Sequence, residues 1–494
     1  MPLMHSTTKI AQLLSALARR GDSVVSGGLL GGLLLALSAG AQQPTQAPWT
    51  GLLVADAVRL TKSTDATTRG EAALLLAAIG DPRTFPAILC VAKDQKPAAQ
   101  LRGILSLGRA AVSGAETFLR ERVEASGTRA QPDGIVAAFA LGILPDAHAD
   151  SIVSNYLGQV VGASYKRQHD ILLALLLGLA THSATPQKPA LTQLADDASM
   201  RDPVLRNATL LSLSKIANGI SASRFASQLQ HGSTEDRRAI LTLADSQQSL
   251  ASLLPVFANL CEHDTNPEVR SLALAALTQA RDQQALALAQ RALRSTEPVE
   301  VEQATRTVLL FGGSSMCATV EALFADASPA CLTAILTAFR GPLTEPAQTL
   351  LQKIAADRKN PVSLRTAAAL ALGQASISTA SPSIRDAFID ERDPNSLRAL
   401  AAALLQLVPD QPPELQSLHS GSTPTDLALQ PDHLAALLIA RHPNAQRFCL
   451  EQLQNKDLPA AALCGVLRAC HLSLTSPLPT LVQNLLPATV REIL

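Results

Sequence analysis

Aromatic side chains are scarce in this chain: they make up 3% of its 494 residues, with one Trp and two Tyr. Charge of either sign is also lacking in excess, because 41 Lys and Arg balance 41 Asp and Glu. Tracking a nucleic acid needs a basic stripe to displace counterions and usually aromatic platforms for stacking, so nucleic acid is excluded as a partner. No C-x-x-C pair occurs among the seven cysteines. Gly is never followed by Lys, which removes the phosphate-cradling G-x-x-x-x-G-K-[ST] loop, and neither G-x-S-x-G nor H-E-x-x-H is present. Period-two alternation is rare, so almost no sheet is expected.

What is present is a repeat. Pro267, Pro298, Pro329, Pro361 and Pro394 follow one another at 31, 31, 32 and 33 residues, and each opens an Ala/Leu-rich stretch. A period in that range marks a stack of helix pairs, each packed only on its neighbours, which frees a chain of this length from the limit on a single core. Hydrophobic residues reach 47% although aromatics are few. Ala and Leu therefore carry the burial, and both favour helix. The frame extends back through Ser233-Thr234-Glu235-Asp236, Asp202-Pro203-Val204-Leu205-Arg206, Pro132 and Pro97, and forward to Pro431. The fold expected is all-α, a right-handed α-α superhelix of about twelve helix pairs.

Within one unit the chemistry is legible. Asp or Asn before Pro supplies a helix cap, and Pro suits the first helical turn. An arginine follows at Arg102, Arg206, Arg270, Arg365 and Arg398, placed to meet acidic loop residues such as Asp264 and Asp393 in a ladder of ion pairs. The glycine closing AAFALG (137–142) and AAALALG (367–373) is expected to stop its helix as a left-handed cap. Two stretches, Thr181 to Asp202 and Val408 to Asp432, are rich in Pro, Ser and Thr and are expected to be loops between units.

The amino terminus has another character. Lys9, Arg19 and Arg20 precede the apolar run GGLLGGLLLAL (27–37), and Ser38-Ala39-Gly40-Ala41 follows. A positive region, a short apolar region and a small-residue site make a secretory signal peptide over 1–41, cleaved after Ala41, and place the mature chain in the periplasm or outside the cell. The run is short for a membrane span, and no later segment reads as one, so no membrane insertion is expected after signal removal. Residues 42–64 then lead into the repeats of 65–407, 408–432 form a Pro/Ser-rich loop, and 433–494 are degenerate repeats that cap the last apolar face.

The segments EAALLLAAIGDPRTFPAILCVAKD (71–94), KPAAQLRGILSLG (96–108), NPEVRSLALAALTQARD (266–282) and NPVSLRTAAALALGQA (360–375) resemble HEAT repeats, in particular the HEAT-like repeats named after phycobilisome lyases. The resemblance covers most of 65–407. It implies that the helix bearing the arginine lines a concave surface and that the preceding one, near Phe85-Pro86, is convex. It implies no particular activity. A di-iron branch of these families carries repeated His-Glu pairs, and no His-Glu dipeptide exists among the ten histidines here.

Two clusters hold metal-ligating residue types. Cys261-Glu262-His263-Asp264 are consecutive, which suits loop capping better than convergence on one ion. His442, Cys449, Cys464, Cys470 and His471 fit no common zinc spacing, and Cys449, Cys464 and Cys470 are the thiols near enough in sequence to bridge. Cys90, inside FPAILCV, reads as a buried small hydrophobe. No catalytic, cofactor-binding or metal residue is assigned, and no cofactor is expected. The function implied is an exported scaffold holding a protein or peptide partner along its concave face by largely apolar contact, as in TAAALAL (366–372). The alternative is an enzyme or enzyme accessory subunit with a site in the inter-repeat loops.

Overall fold

The computed structural model describes residues 49–111, 114–126, 130–144, 147–160, 168–182, 185–197, 202–216, 220, 222–243, 251–407, 431–441, 443–455, 457–476, 478 and 480–494. The expected signal peptide, most of 408–432 and His442 lie outside them. The chain divides into two units, Met1–Thr50 and Gly51–Leu494, and the helix pairs belong to the second.

All described regular structure is helical. The second helix of each repeat unit is α1 (Ala66–Ile79), α2 (Pro97–Arg109), α3 (Pro132–Ile143), α4 (His169–Leu179), α5 (Pro203–Ser214), α6 (Thr234–Thr242) and α7 (Pro267–Gln279). The series continues with α8 (Pro298–Gly312), α9 (Pro329–Ala338), α10 (Val362–Gln374), α11 (Pro394–Leu407), α12 (Pro431–Ile439) and α13 (Ala460–Leu474). Preceding first helices, from Thr50–Leu60 before α1 to Pro443–Gln454 before α13, form an outer layer. The chain is thus a repeat helical protein, and the segment expected only to lead into the repeats contains the first helix of unit one.

The repeated prolines stand where a missing N–H costs nothing, at the first residue of α2, α3, α5, α7, α8, α9, α11 and α12. The residue ahead often supplies the cap. Asp202 Oδ1 accepts from Val204 N at 2.8 Å and Leu205 N at 3.2 Å, and Asn266 Oδ1 accepts from Glu268 N at 2.9 Å. Where the proline is replaced, before α6, Ser233 and Asp236 form a reciprocal capping box.

Three local expectations need correction. Gly142 and Gly373 do not stop helices; they are places where neighbouring helices touch. A Cβ on Gly142 would lie 2.5 Å from Leu175 O, one on Gly178 would lie 2.5 Å from Phe139 O, and one on Gly373 would lie 2.7 Å from Ala403 Cβ. The left-handed residue after α10 is Ser376, at φ 57°, while Gly80 after α1 does act as such a cap, at φ 71°. The Pro/Thr-rich stretch after Thr181 is not all loop, since Lys188–Asp196 is the first helix of unit five, with Pro189 in its first turn and Leu191 and Leu194 buried. Cys90 is exposed. Its eight-residue helix buries Ile88, Val91 and Ala92 instead, and an unbroken apolar run does not mark which face turns inward.

Every second helix packs on the next, from α1 to α13, and α13 then packs on α1. The cap expected at the end of the chain is therefore a closing helix. Both layers take part. In the inner layer Thr68 Oγ1 lies 3.3 Å from Cys464 Sγ, and Arg109 Nη1 donates to His471 Nε2 at 2.7 Å. In the outer layer Arg59 Nη2 donates to Leu453 O at 2.8 Å. Val466 and Leu467 of α13 are fully buried, each contributing about 1.5–3 kcal/mol. Beyond α13 the short helix Thr480–Leu485 packs on α5 and Ala488–Arg491 packs on α3.

Candidate functional site

Closure leaves the inner helices unequally accessible. The middles of α1 to α5 are buried on every side: 71–77, 103–108, 134–142, 171–180 and 208–214. On α6 to α9 one stripe stays open to solvent. Arg238 is exposed on α6, Val299, Arg306 and Leu310 on α8, and Thr337 on α9, with Arg340 just beyond it. Residues 299, 302, 303, 306 and 310 recur at the three- and four-residue spacing of a single helix face. Exposed positions also recur on one face of α11, at Asn395, Ala402 and Gln406, so this stripe is one of the faces of second helices that a partner can reach.

Its chemistry differs from the apolar grip expected. Thr366 to Ala369, Ala371 and Leu372 of α10 are buried, because α10 is packed by α9, α11 and the first helices Glu345–Ala356 and Ser381–Asp390. The Ala/Leu face of each unit is thus core. What the stripe presents is mixed and polar. Arg238 pairs with Glu268 of the next helix, Arg306 pairs with Glu302, and Ser271 Oγ donates to Val299 O at 3.0 Å. Arg340 is held below the usual guanidinium range by burial and by the nearby Arg306, with Glu302 opposing. A row of cations and hydroxyls alternating with carboxylates can hold backbone and side-chain polar groups of an extended chain, with Val299 and Leu310 as apolar contacts.

The arginine ladder forms, in part through partners other than those expected. Arg102 Nε donates to Glu71 Oε1 at 3.0 Å, Arg365 Nη1 to Asp390 Oδ2 at 2.9 Å, and Arg270 pairs with Glu300 of the following unit. Arg206 lies 3.9 Å from Asp236. Asp264 takes Arg237 at 2.9 Å, while its backbone oxygen accepts from Arg270 Nη1 at 2.7 Å. Asp393 is a cap, accepting from Ser396 N at 2.8 Å. No described carboxylate lies within 4 Å of Arg398. A bidentate pair not foreseen joins α1 to the loop after the first helix of unit two: Arg69 donates to both Asp94 oxygens, at 2.7 and 3.0 Å. Hydrogen bonding from Arg69 holds the Asp94 carboxyl below its usual range. On α1, burial pushes the Glu71 carboxyl up, and the fields of Arg102 and of Arg468 on the closing helix only partly oppose it.

The clusters of ligating residue types are otherwise employed. Glu262 binds Arg291 at 2.5 Å, Asp264 is in the ladder, and burial pushes the Cys261 thiol up to about 11. In the terminal group Cys449 and Cys470 are buried against one another. Cys464 instead faces Thr68, with Asp65 Oδ2 at 3.8 Å, and His471 faces Arg109. Among the described residues no three His, Cys, Asp or Glu side chains gather as a metal set, and no helix is long and apolar enough to cross a membrane.

No family model matches the chain, and no curated protein matches it. Among solved structures it is similar to the one titled "A conserved phosphorylation switch controls the interaction between cadherin and beta-catenin in vitro and in vivo", at 12% identity and TM-score 0.25, over 85% of this chain and 98% of that one. At that score the likeness adds nothing to the helix pairs themselves.

Proposed function

We propose that this chain is a non-catalytic binding scaffold whose partner, a protein or peptide, lies along the open stripe of α6 to α9. The observation that carries the reading is the contrast in access: the middles of five consecutive inner helices are sealed by packing, while α6, α8 and α9 expose polar residues, linked across the half-buried α7 by the Arg238–Glu268 and Ser271–Val299 contacts. Binding would be a sum of modest polar contacts over several units, with specificity from the order of charges along the stripe. Export by residues 1–41 to the periplasm or beyond the cell belongs to the same proposal and rests on the sequence alone. So does membership of the HEAT-like repeats.

The test is crosslinked capture of the tagged full-length chain from its host, followed by the same capture with Arg238→Glu, Arg306→Glu and Arg340→Glu combined. Arg83→Glu serves as control, since Arg83 is exposed on the outer layer. The reading expects a near-stoichiometric partner with wild type and control, and its loss with the triple variant. Recovery of no partner, or of the same partner with all three proteins, contradicts it.

A further inference from the structure

The closing contact borders a half-open cavity that the scaffold reading does not use. It has a volume of about 480 Å³ and lies between α2, α11, α12, α13 and the terminal segment. Arg109, Arg398, Arg468 and Arg491 line it, with Asp393 and Asp432 among the opposing charges. A chain with no net charge thus places four guanidinium groups around one small space, against the carboxylates of Asp393, Asp432 and the carboxyl-terminal Leu494.

None of these arginines makes an ion pair within 4 Å with a described carboxylate. Arg109 finds His471 Nε2 as its side-chain acceptor, and no described carboxylate is within 4 Å of Arg109 or Arg398. Burial pushes the Arg109 guanidinium down to about 10, which leaves it charged at neutral pH. Burial, together with Arg109 and Arg468, pushes His471 down to about 3, so the imidazole is a neutral acceptor and supplies no charge of its own. A half-buried cation without a counter-ion costs free energy that an anion entering the cavity would recover. Arg491 is turned partly to the backbone, donating to Leu486 O at 2.9 Å and Asn484 O at 3.2 Å.

The cavity also has an annex of mixed lining. A second recess of about 260 Å³ shares Arg109, Thr475, Ser476 and Leu478 with it and continues between Ala78, Ile143, Thr181 and Leu474. Arg109 stands at the boundary of the two. Guanidinium groups suit an oxyanion with two acceptor oxygens, and a concave apolar wall with a few convergent polar groups is the usual form of a small-molecule site.

We propose that the junction of the two ends of the helix stack is a binding site for a small amphiphilic organic anion, its carboxylate among Arg109, Arg398 and Arg468 and its apolar body in the recess beside Ile143 and Leu474. The site lies on helices other than those of the partner stripe, so it stands or falls separately from that reading.

Isothermal titration of the full-length protein with octanoate tests it, with 1-octanol and inorganic phosphate as comparison probes. The expected result is one octanoate per chain, with octanol and phosphate each at least about tenfold weaker. Arg398→Gln should raise the octanoate Kd about tenfold or more, the loss of one charge-assisted contact, while Arg398→Lys retains part of the affinity. Leu474→Trp, which fills the recess, should weaken octanoate and leave phosphate unaffected. Thermal unfolding of each variant shows that its fold persists. Absence of octanoate binding, binding indifferent to Arg398→Gln and Leu474→Trp, or phosphate binding as tightly as octanoate would overturn the assignment.

Discussion

Thr68 and Cys464 are 396 positions apart in the chain and 3.3 Å apart in space. Asp65, one turn before Thr68, accepts from its backbone N–H at 2.6 Å and its hydroxyl at 2.8 Å. Burial raises the Asp65 carboxyl, but those bonds, with Cys464 and the field of Arg69, outweigh it and hold it below its ordinary range. The cap of the first inner helix is thereby joined to the last one. Neither end of the stack presents a bare apolar face, and the extra stabilisation that terminal units of an open stack need is supplied by each end to the other.

Helix contact through glycine is tight in the α3–α4 pair. Gly178→Ala should lower stability by about 1–3 kcal/mol, because the new methyl meets the Phe139 carbonyl and both helices must move. Gly158→Ala, in the outer helix Ala147–Val160 with nothing within 4 Å of the added Cβ, should instead be neutral or stabilising by up to about 1 kcal/mol. Thermal unfolding of the two variants side by side checks the contrast.

The Arg69–Asp94 pair sets a share of the acid limb of stability. A carboxyl whose folded pKa is depressed binds fewer protons folded than unfolded. Its stabilisation is therefore present above the ordinary aspartate range and is lost as pH falls through the depressed folded value. Asp94→Asn should cost about 1.5–3 kcal/mol at neutral pH, the range for hydrogen bonds to a charged group, and should lose less stability than wild type on acidification through that window. Denaturant unfolding as a function of pH measures both.

Thiol reactivity should follow burial. Cys90 is exposed, while Cys449 and Cys470 are fully buried, and their mutual contact together with burial pushes the Cys449 thiol far up. Native alkylation followed by mass spectrometry should label Cys90 first and leave Cys449 and Cys470 unmodified until denaturant is added.

The repeat frame was legible in the sequence because its signals are local. Proline at the first helical residue, Asp202 or Asn266 ahead of it, and an arginine a turn later each act within about one helical turn. Faces were harder. Cys90 sits in an unbroken apolar run that gives no phase, and the Ala/Leu stretch of α10 has the same composition whether it lines a groove or fills a core. Gly142 and Gly373 were ambiguous because a cap and a close helix contact ask for the same missing side chain, and only the neighbouring helix decides. The open stripe and the closing contact left no trace, since access on α6 to α9 and the meeting of Thr68 with Cys464 depend on the summed rotation of all intervening units.

Closure is the central claim, and one covalent measurement reaches it directly. In Thr68→Cys protein the new thiol replaces a hydroxyl 3.3 Å from Cys464 Sγ, within range of a disulfide once the side chains adjust. After mild oxidation, peptide mapping should find a 68–464 disulfide in most chains, formed within one molecule and lost if the protein is first unfolded. An open stack would hold these two positions on opposite ends, and the absence of that disulfide under native oxidation, or its appearance only between molecules, would contradict the closed arrangement.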